Sequence, residues 1–257
     1  MKILATYNIK GGVGKTATAV NLSYLAARGG LRVLLADLDP QAAATFTLRV
    51  RPRVKGGGKA LIQGSREIDA AIKGTDFDNL DLLPADFTFR NLDLLLDATK
   101  KPTRRLARLL RPLGGEYDLV FLDCPPGISL LSESVLQAAD TLLVPLIPTT
   151  LSVRTLDQLT EFVAGMNGHR PAILAFFSMI DRRKRLHKEI SEQLPAQRAD
   201  VAAAAIPSLS LIERMSVERA PVTAFAPRSP AARRYAELWQ EARKRSKLPE
   251  PKPDDAW

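Results

Sequence analysis

The chain has 257 residues, 46% of them hydrophobic, which is enough to bury the core of a single α/β domain. Its one cysteine, Cys124, excludes an internal disulfide and favours a reducing cytoplasm, and its two separated histidines give no zinc-like cluster. The formal net charge of +9 is concentrated in acid-free basic runs at residues 49–59, 100–111 and 182–188, which indicates a polyanionic partner.

The sequence enters its first predicted strand at residue 2, so we expect no cleavable N-terminal signal. No apolar run approaches the roughly 20 residues that cross a bilayer, and no membrane partner is expected. His169 and His187 stand in polar surroundings and are predicted to lie at the surface.

Short apolar runs alternate with helical patterns, which is typical of parallel strands joined by crossover helices. We predict strands at residues 2–7, 32–37, 80–83, 118–123, 141–144, 172–179 and 201–205. Helices are predicted at residues 15–28, 87–96, 103–113, 129–138, 151–166, 183–194, 209–219 and 230–245. The expected fold class is α/β, a single domain over residues 1–247 with a mostly parallel twisted sheet and helices on both faces. The proline-rich tail, residues 248–257, is predicted to be disordered.

The segment between the first strand and the first helix is the glycine-rich run Asn8-Ile-Lys-Gly-Gly-Val-Gly-Lys-Thr16. The backbone N–H groups of such a turn point inward and form a cup that fits a triphosphate. Lys15 can reach the β- and γ-phosphates, and the Thr16 hydroxyl is placed to ligate Mg²⁺. The alternative is a glycine-rich turn with a chance lysine, but the flanking strand and helix favour phosphate binding. Ile9 replaces the first glycine of the usual phosphate-loop pattern, and a second lysine, Lys10, precedes the glycine pair.

Two further strands end in acidic residues. The second strand closes with Asp37-Leu-Asp39-Pro-Gln41 and the fourth with Asp123-Cys-Pro-Pro-Gly127. A carboxylate at the end of an apolar strand beside a phosphate loop commonly holds the water shell of magnesium. We assign this role to Asp123, whereas Asp39 could orient an attacking water or contact the metal shell. Cys124 is predicted to fill the core.

The basic runs differ in their predicted setting. In the helix at residues 103–113 the leucines follow a helical stripe and the arginines lie away from it, which is typical of a solvated outer face. The cluster at residues 182–185 instead falls where a strand meets a helix, and open α/β sheets place functional loops at that end of their strands.

These motifs together resemble the ParA-type ATPases of the ParA/MinD group, which are P-loop NTPases with a deviant Walker A motif. The resemblance is carried by Lys10-Gly-Gly-Val-Gly-Lys-Thr16, Asp37-Leu-Asp39-Pro-Gln41 and Asp123-Cys-Pro-Pro126, and more weakly by residues 144–148, 206–207 and 226–230. It extends from residue 1 to about residue 245. It implies ATP and Mg²⁺ as cofactors and a homodimer that encloses ATP between its two subunits.

The resemblance also implies roles for individual residues. The nucleotide would be bound by Lys10, Gly11, Gly12, Val13, Gly14, Lys15, Thr16, Ala17 and Pro207, with Lys10 reaching the phosphates of the other subunit. The metal would be held by Thr16, Asp39 and Asp123. The catalytic residues would be Lys10, Lys15 and Asp39. The ATP-bound dimer would bind double-stranded DNA without sequence preference through Arg182, Arg183 and Arg185. An activating adaptor, ParB-like or specific to a cargo, would stimulate hydrolysis, and the protein would be cytoplasmic and nucleoid-associated.

Departures from the family pattern leave alternatives open. Ala17 replaces a common threonine, and residues 208–212 lack the basic and amide side chains common in relatives.

A MinD-like membrane switch would need a C-terminal amphipathic helix, and the last helix offers only a narrow apolar stripe. A metabolic ligase that activates a carboxylate with ATP would need a further acid/base set, which the sequence does not suggest.

Overall fold

A computed structural model describes residues 1–52, 56–63 and 68–250. The strands are β1 (Lys2–Thr6), β2 (Val33–Asp37), β3 (Lys73–Gly74), β4 (Leu80–Leu83), β5 (Leu119–Asp123), β6 (Thr141–Leu146) and β7 (Ala172–Phe177). In the described residues they form one sheet with the order β3-β4-β2-β5-β1-β6-β7. Neighbouring strands are parallel except for the short antiparallel pair of β3 and β4 at one edge. The predicted mostly parallel α/β fold is therefore confirmed.

The helices among the described residues follow in chain order. They are α1 (Lys15–Arg28), α2 (Ala43–Thr47), α3 (Gly57–Gln63), α4 (Leu92–Asp97), α5 (Arg105–Leu110), α6 (Leu130–Ala138), α7 (Thr150–Gly165), α8 (Arg185–Gln197), α9 (Ser210–Glu213), α10 (Met215–Glu218), α11 (Val222–Phe225) and α12 (Pro230–Arg245). Single 3₁₀ turns lie at Ile68–Ala71, Phe87–Asn91, Pro102–Arg104 and Arg111–Gly115.

The sheet is covered on both faces. Ile3 and Ala5 of β1 belong to the core beneath α4 to α7, whereas Leu4 between them belongs to the core beneath α1 and α12. This alternation explains why the central strands are apolar at nearly every position. The apolar stripe of α12 packs into the second core, where Trp239 stands 6.1 Å from the Phe121 ring. The last helix thus uses its apolar side within the domain.

Two predicted elements are wrong. The predicted strand at 201–205 is reduced to an isolated bridge between Val201 and Ala175, because the N–H groups of Ala203 and Ala204 donate to the Glu241 carboxylate instead of to a strand. The predicted helix at 209–219 is divided into α9 and α10, and Arg214 lies between them. The edge strand β3 has no counterpart in the prediction.

Parts of the first basic run and of the proline-rich tail lie outside the residues that the structure describes. Arg53 and Lys55 of the first basic run, and residues 251–257 of the proline-rich tail, lie outside the described residues. Within the described ranges, none of the helices combines the length and the apolar character that a membrane span requires.

Candidate nucleotide site

The loop between β1 and α1 has a backbone shape that requires glycine at two positions. Gly12 has φ +69° and Gly14 has φ +93°, which lie in the left-handed region that side chains disfavour. A Cβ atom at Gly14 would stand 2.9 Å from Ser178 Oγ, so neighbouring structure also closes on this glycine. The loop is therefore a preformed cradle at the carboxyl end of β1, next to the N-terminus of α1.

Asn8 braces this loop, and sequence reasoning missed its role. Its side chain is buried; Nδ2 donates to the Pro145 carbonyl at 2.7 Å, and Oδ1 accepts from Lys10 N at 2.9 Å. From the other side of the loop, Thr18 Oγ1 donates to the Gly14 carbonyl at 2.8 Å. An asparagine at the end of an apolar strand, just before a glycine-rich run, is the signal that could have identified this brace.

The two lysines of the loop occupy different environments. Lys15 is buried, and its Nζ donates to the Lys10 carbonyl at 3.1 Å. Burial lowers the pKa of Lys15, and the negative charge of Asp123 partly opposes that effect. Lys10 is exposed and outside the lining of the cavity described below. The same loop therefore carries one buried lysine and one exposed lysine.

Three aspartates lie at the ends of β2 and β5. Asp37 and Asp123 are fully buried and are register partners on adjacent strands. Burial raises the pKa of Asp123, the negative charge of Asp37 raises it further, and the hydroxyls of Thr16 and Thr6 partly offset the rise. Asp39, half-buried beyond the end of β2, accepts from Gln41 N at 2.9 Å and faces the cavity above the phosphate loop.

Asp37 ties the acidic pair to α2. Its Oδ2 accepts from Thr45 N at 2.8 Å and from Thr45 Oγ1 at 2.7 Å, and its Oδ1 accepts from Asp39 N at 3.2 Å. Burial nevertheless raises the pKa of Asp37, since these bonds only partly compensate for the loss of water. Neither Asp37 nor Thr45 was assigned a role from the sequence.

A cavity of about 380 Å³ opens over the loop. Of the predicted nucleotide and metal residues, its lining contains Gly11, Gly12, Gly14, Lys15, Thr16, Ala17, Asp39 and Pro207. Lys10, the buried Val13 and the buried Asp123 lie outside that lining. The far side of the cavity is mainly apolar and includes Met179, Leu209 and Ile212, which sequence reasoning did not assign. The departure at residues 208–212 thus replaces polar side chains by an apolar wall.

The donor set fits a magnesium ion that is held together with phosphates. Asp123 Oδ2 is buried and has no hydrogen-bond partner among the described residues, although Oδ1 accepts from Thr6 Oγ1 at 3.2 Å. In the described part of the chain, no cluster of three or more His, Cys, Asp or Glu side chains could hold a metal by itself. Mg²⁺ in nucleotide sites commonly takes one or two protein oxygens and completes its shell with phosphates and waters. The Thr16 hydroxyl, the Asp123 carboxylate and the nearby Asp39 meet that requirement.

The predicted DNA-contacting arginines lie close together in sequence, Arg182 and Arg183 in the loop after β7 and Arg185 as the first residue of α8, and all three are exposed. Arg183 donates twice to the Asp181 carboxylate, at 2.9 Å in each case, and Arg185 Nε donates to Glu189 at 2.6 Å. Arg182 makes no ion pair with the described residues. It lines a second cavity of about 480 Å³ together with Arg183 and Arg234.

The loop that carries these arginines is linked to the nucleotide cavity and to a buried histidine. The segment 207–209 lines both the second cavity and the nucleotide cavity, so one stretch of chain separates the two. The surface prediction for His187 is wrong, because its ring is buried and its Nδ1 accepts from Asp181 N at 3.2 Å. The ring faces inward to support the basic loop, which the polar neighbouring sequence concealed.

A glycine-rich loop after a central parallel strand, with carboxylates at the ends of the neighbouring strands, defines a P-loop nucleotide-binding protein. A family model described as an AAA domain matches residues 1–174. The chain is 32% identical over 246 residues to the sporulation initiation inhibitor protein Soj of Bacillus subtilis, covering 93% of this chain and 97% of that protein. It is 33% identical over 208 residues to the chromosome partitioning protein ParA of Caulobacter vibrioides, covering 78% of each.

Comparison with solved structures supports the same class of nucleotide-binding protein. The structure of cobyrinic acid a,c-diamide synthase from Mycobacterium smegmatis, with bound ATP analogue and magnesium, superimposes with a TM-score of 0.77 at 27% identity and covers 98% of both chains. The chain belongs to the ParA/MinD family of P-loop ATPases.

Proposed function

We propose that this protein is an ATP-dependent dimerising switch that binds DNA without sequence preference in its ATP state and segregates or positions a cargo. The placement of the two loop lysines carries the proposal. Lys15 serves its own cavity, whereas Lys10 is exposed outside the cavity lining and is available to a second subunit. The relatives' names, Soj and ParA, the latter a chromosome partitioning protein, support the assignment.

The same residues account for ATP hydrolysis. Lys15 and the loop N–H groups bind the phosphates, while Thr16 and Asp123 hold Mg²⁺, which neutralises phosphate charge when it is bound. The Asp39 carboxylate, fixed by Gln41 N, accepts a hydrogen bond from a water and orients it towards the γ-phosphorus. The water oxygen forms its bond to phosphorus as the bridging bond to the β-phosphate breaks, giving ADP and phosphate.

Lys10 of the second subunit would complete this site. A cation placed at the transferred phosphoryl stabilises the negative charge that develops there, and only a closed dimer can supply it. ATP thus joins two subunits, and hydrolysis removes the contacts that favour the closed state. The stimulating partner would be an adaptor, ParB-like or specific to the cargo.

Light scattering with a non-hydrolysable ATP analogue and Mg²⁺ tests the switch. The wild type should be dimeric with the analogue and monomeric without it. Lys15→Ala should lose nucleotide binding and remain monomeric, whereas Lys10→Ala should bind nucleotide and still remain monomeric. Lys100→Ala, which removes another exposed lysine far along the chain, is the matched control and should dimerise normally. A wild type that stays monomeric with the analogue refutes the proposal, and a Lys10→Ala dimer refutes the role of Lys10.

We assign DNA binding to the loop between β7 and α8 together with the first residue of α8. Arg182, Arg183 and Arg185 would contact phosphates, so affinity should fall with salt in proportion to the contacts made. Because Asp181 and Glu189 already pair with Arg183 and Arg185, reversal of Arg182 should give the largest single loss. The shared segment 207–209 supplies a physical route by which bound nucleotide alters this surface.

Charge reversal of all three arginines to Glu should release DNA, reduce the salt slope and leave dimerisation intact. The matched control is reversal of Arg104, Arg108 and Arg111, which are exposed in the second basic run. If both triple variants lose DNA equally, general charge carries binding. If neither does, the assigned surface is wrong.

The mycobacterial neighbour is named as a diamide synthase, and this favours a ligase as a second candidate. A ligase would release phosphate only when a carboxylate substrate and a nitrogen donor are supplied, whereas the switch would respond to DNA and an adaptor. Measuring phosphate release under both conditions separates the two. We infer in addition that residues 1–247 form the ATPase domain and that the protein acts on the nucleoid in the cytoplasm.

A further inference from the structure

Two arginines join the C-terminal ends of α2 and α10, two short helices about 170 residues apart in the chain. Arg49 donates from Nε to the Arg219 carbonyl at 3.1 Å and from Nη2 to the Glu218 carbonyl at 2.9 Å. Arg219 Nε donates in return to the Phe46 carbonyl at 2.9 Å, and its guanidinium lies 4.5 Å from the centre of the Phe46 ring. We call Arg49, Arg219 and Phe46 the arginine clamp.

Each arginine of the clamp satisfies carbonyl groups at the end of the other helix. The Phe46 carbonyl also accepts from Arg49 N of its own segment at 3.1 Å, and the negative end of a helix attracts a cation. The clamp therefore works in both directions, with each chain segment capping the other.

Both arginines adopt a backbone conformation that favours glycine. Arg49 has φ +59° and Arg219 has φ +49°, and each follows the end of a helix. A left-handed residue with a side chain costs on the order of 1 kcal/mol relative to the right-handed form. Glycine would avoid this cost, so the guanidinium contacts offset a strain that the sequence accepts at both positions.

Helix α2 depends on contacts of this kind. It has only five residues and no side-chain cap at its N-terminus, and a helix of that length is not stable alone. Near its N-terminus Thr45 fixes it to Asp37, and at its C-terminus the clamp fixes it to α10. Residues 40–42 separate Asp39 from α2, and in the turn between them the Asp39 carbonyl accepts from Ala42 N at 2.8 Å. This turn couples the position of Asp39 to the position of α2.

Helix α10 leads to the opposite wall of the nucleotide cavity. Leu209, Ile212 and Glu213 line that wall immediately before α10 begins. Met215, the first residue of α10, is buried, and its Sδ accepts from Asn21 Nδ2 of α1 at 3.2 Å. The arginine clamp thus links the wall that carries Asp39 to the apolar wall, and α10 in turn rests on the helix of the phosphate loop.

We propose that Arg49 and Arg219 are positioning residues that hold Asp39 in its working place relative to a nucleotide seated against residues 209–213. They line no part of the nucleotide cavity and act through α2. This inference rests on the proposed ATP hydrolysis and on the role of Asp39 in it. Its consequence is that loss of the clamp should reduce kcat for ATP and leave KM nearly unchanged, because the phosphate loop and the apolar wall keep their own contacts.

The test compares Arg219→Ala and Arg219→Gly with Arg214→Ala. Arg214 pairs with Glu218 and, among the described residues, forms no hydrogen bond or ion pair with α2, which makes its removal a matched control. Arg219→Gly removes the guanidinium and also relieves the backbone strain, so it keeps the fold if Arg219→Ala does not. Steady-state ATP hydrolysis with Mg²⁺ and DNA, and thermal unfolding, are measured for each.

We expect both Arg219 variants to lower kcat about tenfold, with KM within about twofold of wild type, because small displacements of a catalytic group are costly. Arg219→Lys should recover part of kcat, since an ammonium can donate to the Phe46 carbonyl but lacks the planar fork. Arg49→Ala combined with Arg219→Ala should lose no more than the worse single variant, because the two side chains act as one unit.

The possible results distinguish a failure of the proposed function from a failure of this inference alone. A wild type that does not hydrolyse ATP overturns the proposed function and this inference together. If the wild type is active and the Arg219 variants match Arg214→Ala, the function stands and the inference is wrong. A rise in KM at unchanged kcat, or losses of kcat that multiply in the double variant, also overturns it.

Discussion

Replacing Thr45 by valine should destabilise the protein far more than the same replacement at Thr47, although both threonines are buried in α2. Thr45 Oγ1 donates to Asp37 Oδ2 at 2.7 Å and accepts from Ala85 N at 3.0 Å, so it bridges three segments of chain. Thr47 Oγ1 donates only to the carbonyl one turn earlier in its own helix, at 2.8 Å. Valine keeps the shape of either side chain and removes only the hydroxyl.

The size of the difference follows from what each substitution leaves behind. A hydrogen bond to a charged group contributes about 1.5–3 kcal/mol, and a buried N–H left without its partner costs about 1–3 kcal/mol. Thr45→Val incurs both losses, which gives about 4 kcal/mol. Thr47→Val loses one local bond to a carbonyl that the helix can otherwise satisfy, and about 1 kcal/mol or less is expected.

Urea unfolding of the nucleotide-free protein at neutral pH measures both values, and Thr45→Ser provides the positive control because it keeps the hydroxyl. We expect Thr45→Ser to recover most of the loss. If Thr45→Val and Thr47→Val fall within about 1 kcal/mol of each other, the hydroxyl bridge does not carry the stability of this segment, and the anchoring of α2 by Thr45 is refuted.

Three further outcomes are expected. Asp39→Ala should trap an ATP-bound dimer on DNA, because the attacking water loses its orientation; release of DNA at the wild-type rate would contradict this. The raised pKa of Asp123 means that the folded protein holds more protons than the unfolded chain above about pH 4, so stability present at low pH is lost as pH rises. Asp123→Asn should flatten that loss in urea titrations at about pH 5 and about pH 8, and parallel curves would count against it. Gly14→Ala should weaken nucleotide binding more than Gly12→Ala, because both impose backbone strain but only the former brings Cβ against Ser178; equal affinities by calorimetry would show that strain alone matters.

The sheet was predictable because its central strands are buried on both faces and so are apolar at successive positions. β2 and β5 each end in an aspartate, which marked both the strand ends and the acidic edge of the site. The same reasoning placed the phosphate loop, since its glycines answer a local backbone requirement. These features are encoded within a few residues of sequence.

The wrong and missing elements depend on contacts between distant residues. The alanine-rich run at 201–205 has a strand-like pattern, yet Glu241 of α12 captures two of its N–H groups before a ladder can form. The arginine clamp was likewise hidden, because a basic run read alone indicates only surface charge. His187 had polar neighbours in sequence, but its partner is the backbone of Asp181.

In the site too, residues in local motifs were predicted and residues that act through distant partners were not. Lys15, Thr16 and Asp39 were predicted as site residues from their motifs, and the structure places them around one cavity. Asn8, Asp37 and Thr45 were not assigned roles, since each contributes through a partner that no local pattern identifies. The residues that support the predicted site were therefore harder to identify from sequence than the predicted site residues themselves.

The buried pair Asp37 and Asp123 connects the predicted metal site with the residues that support it. Burial raises the pKa of both carboxyl groups, and repulsion by the negative charge of Asp37 raises the pKa of Asp123 further. A divalent cation at the free oxygen of Asp123 would relieve that repulsion, so binding energy would be gained at the place where the nucleotide-free protein is least well satisfied. Asp37 also anchors α2 through Thr45. If α2 positions Asp39 as we propose, occupancy of the metal site would reinforce the segment that carries the proposed water-orienting carboxylate. Nucleotide binding would then be linked to hydrolysis without a large movement of the fold.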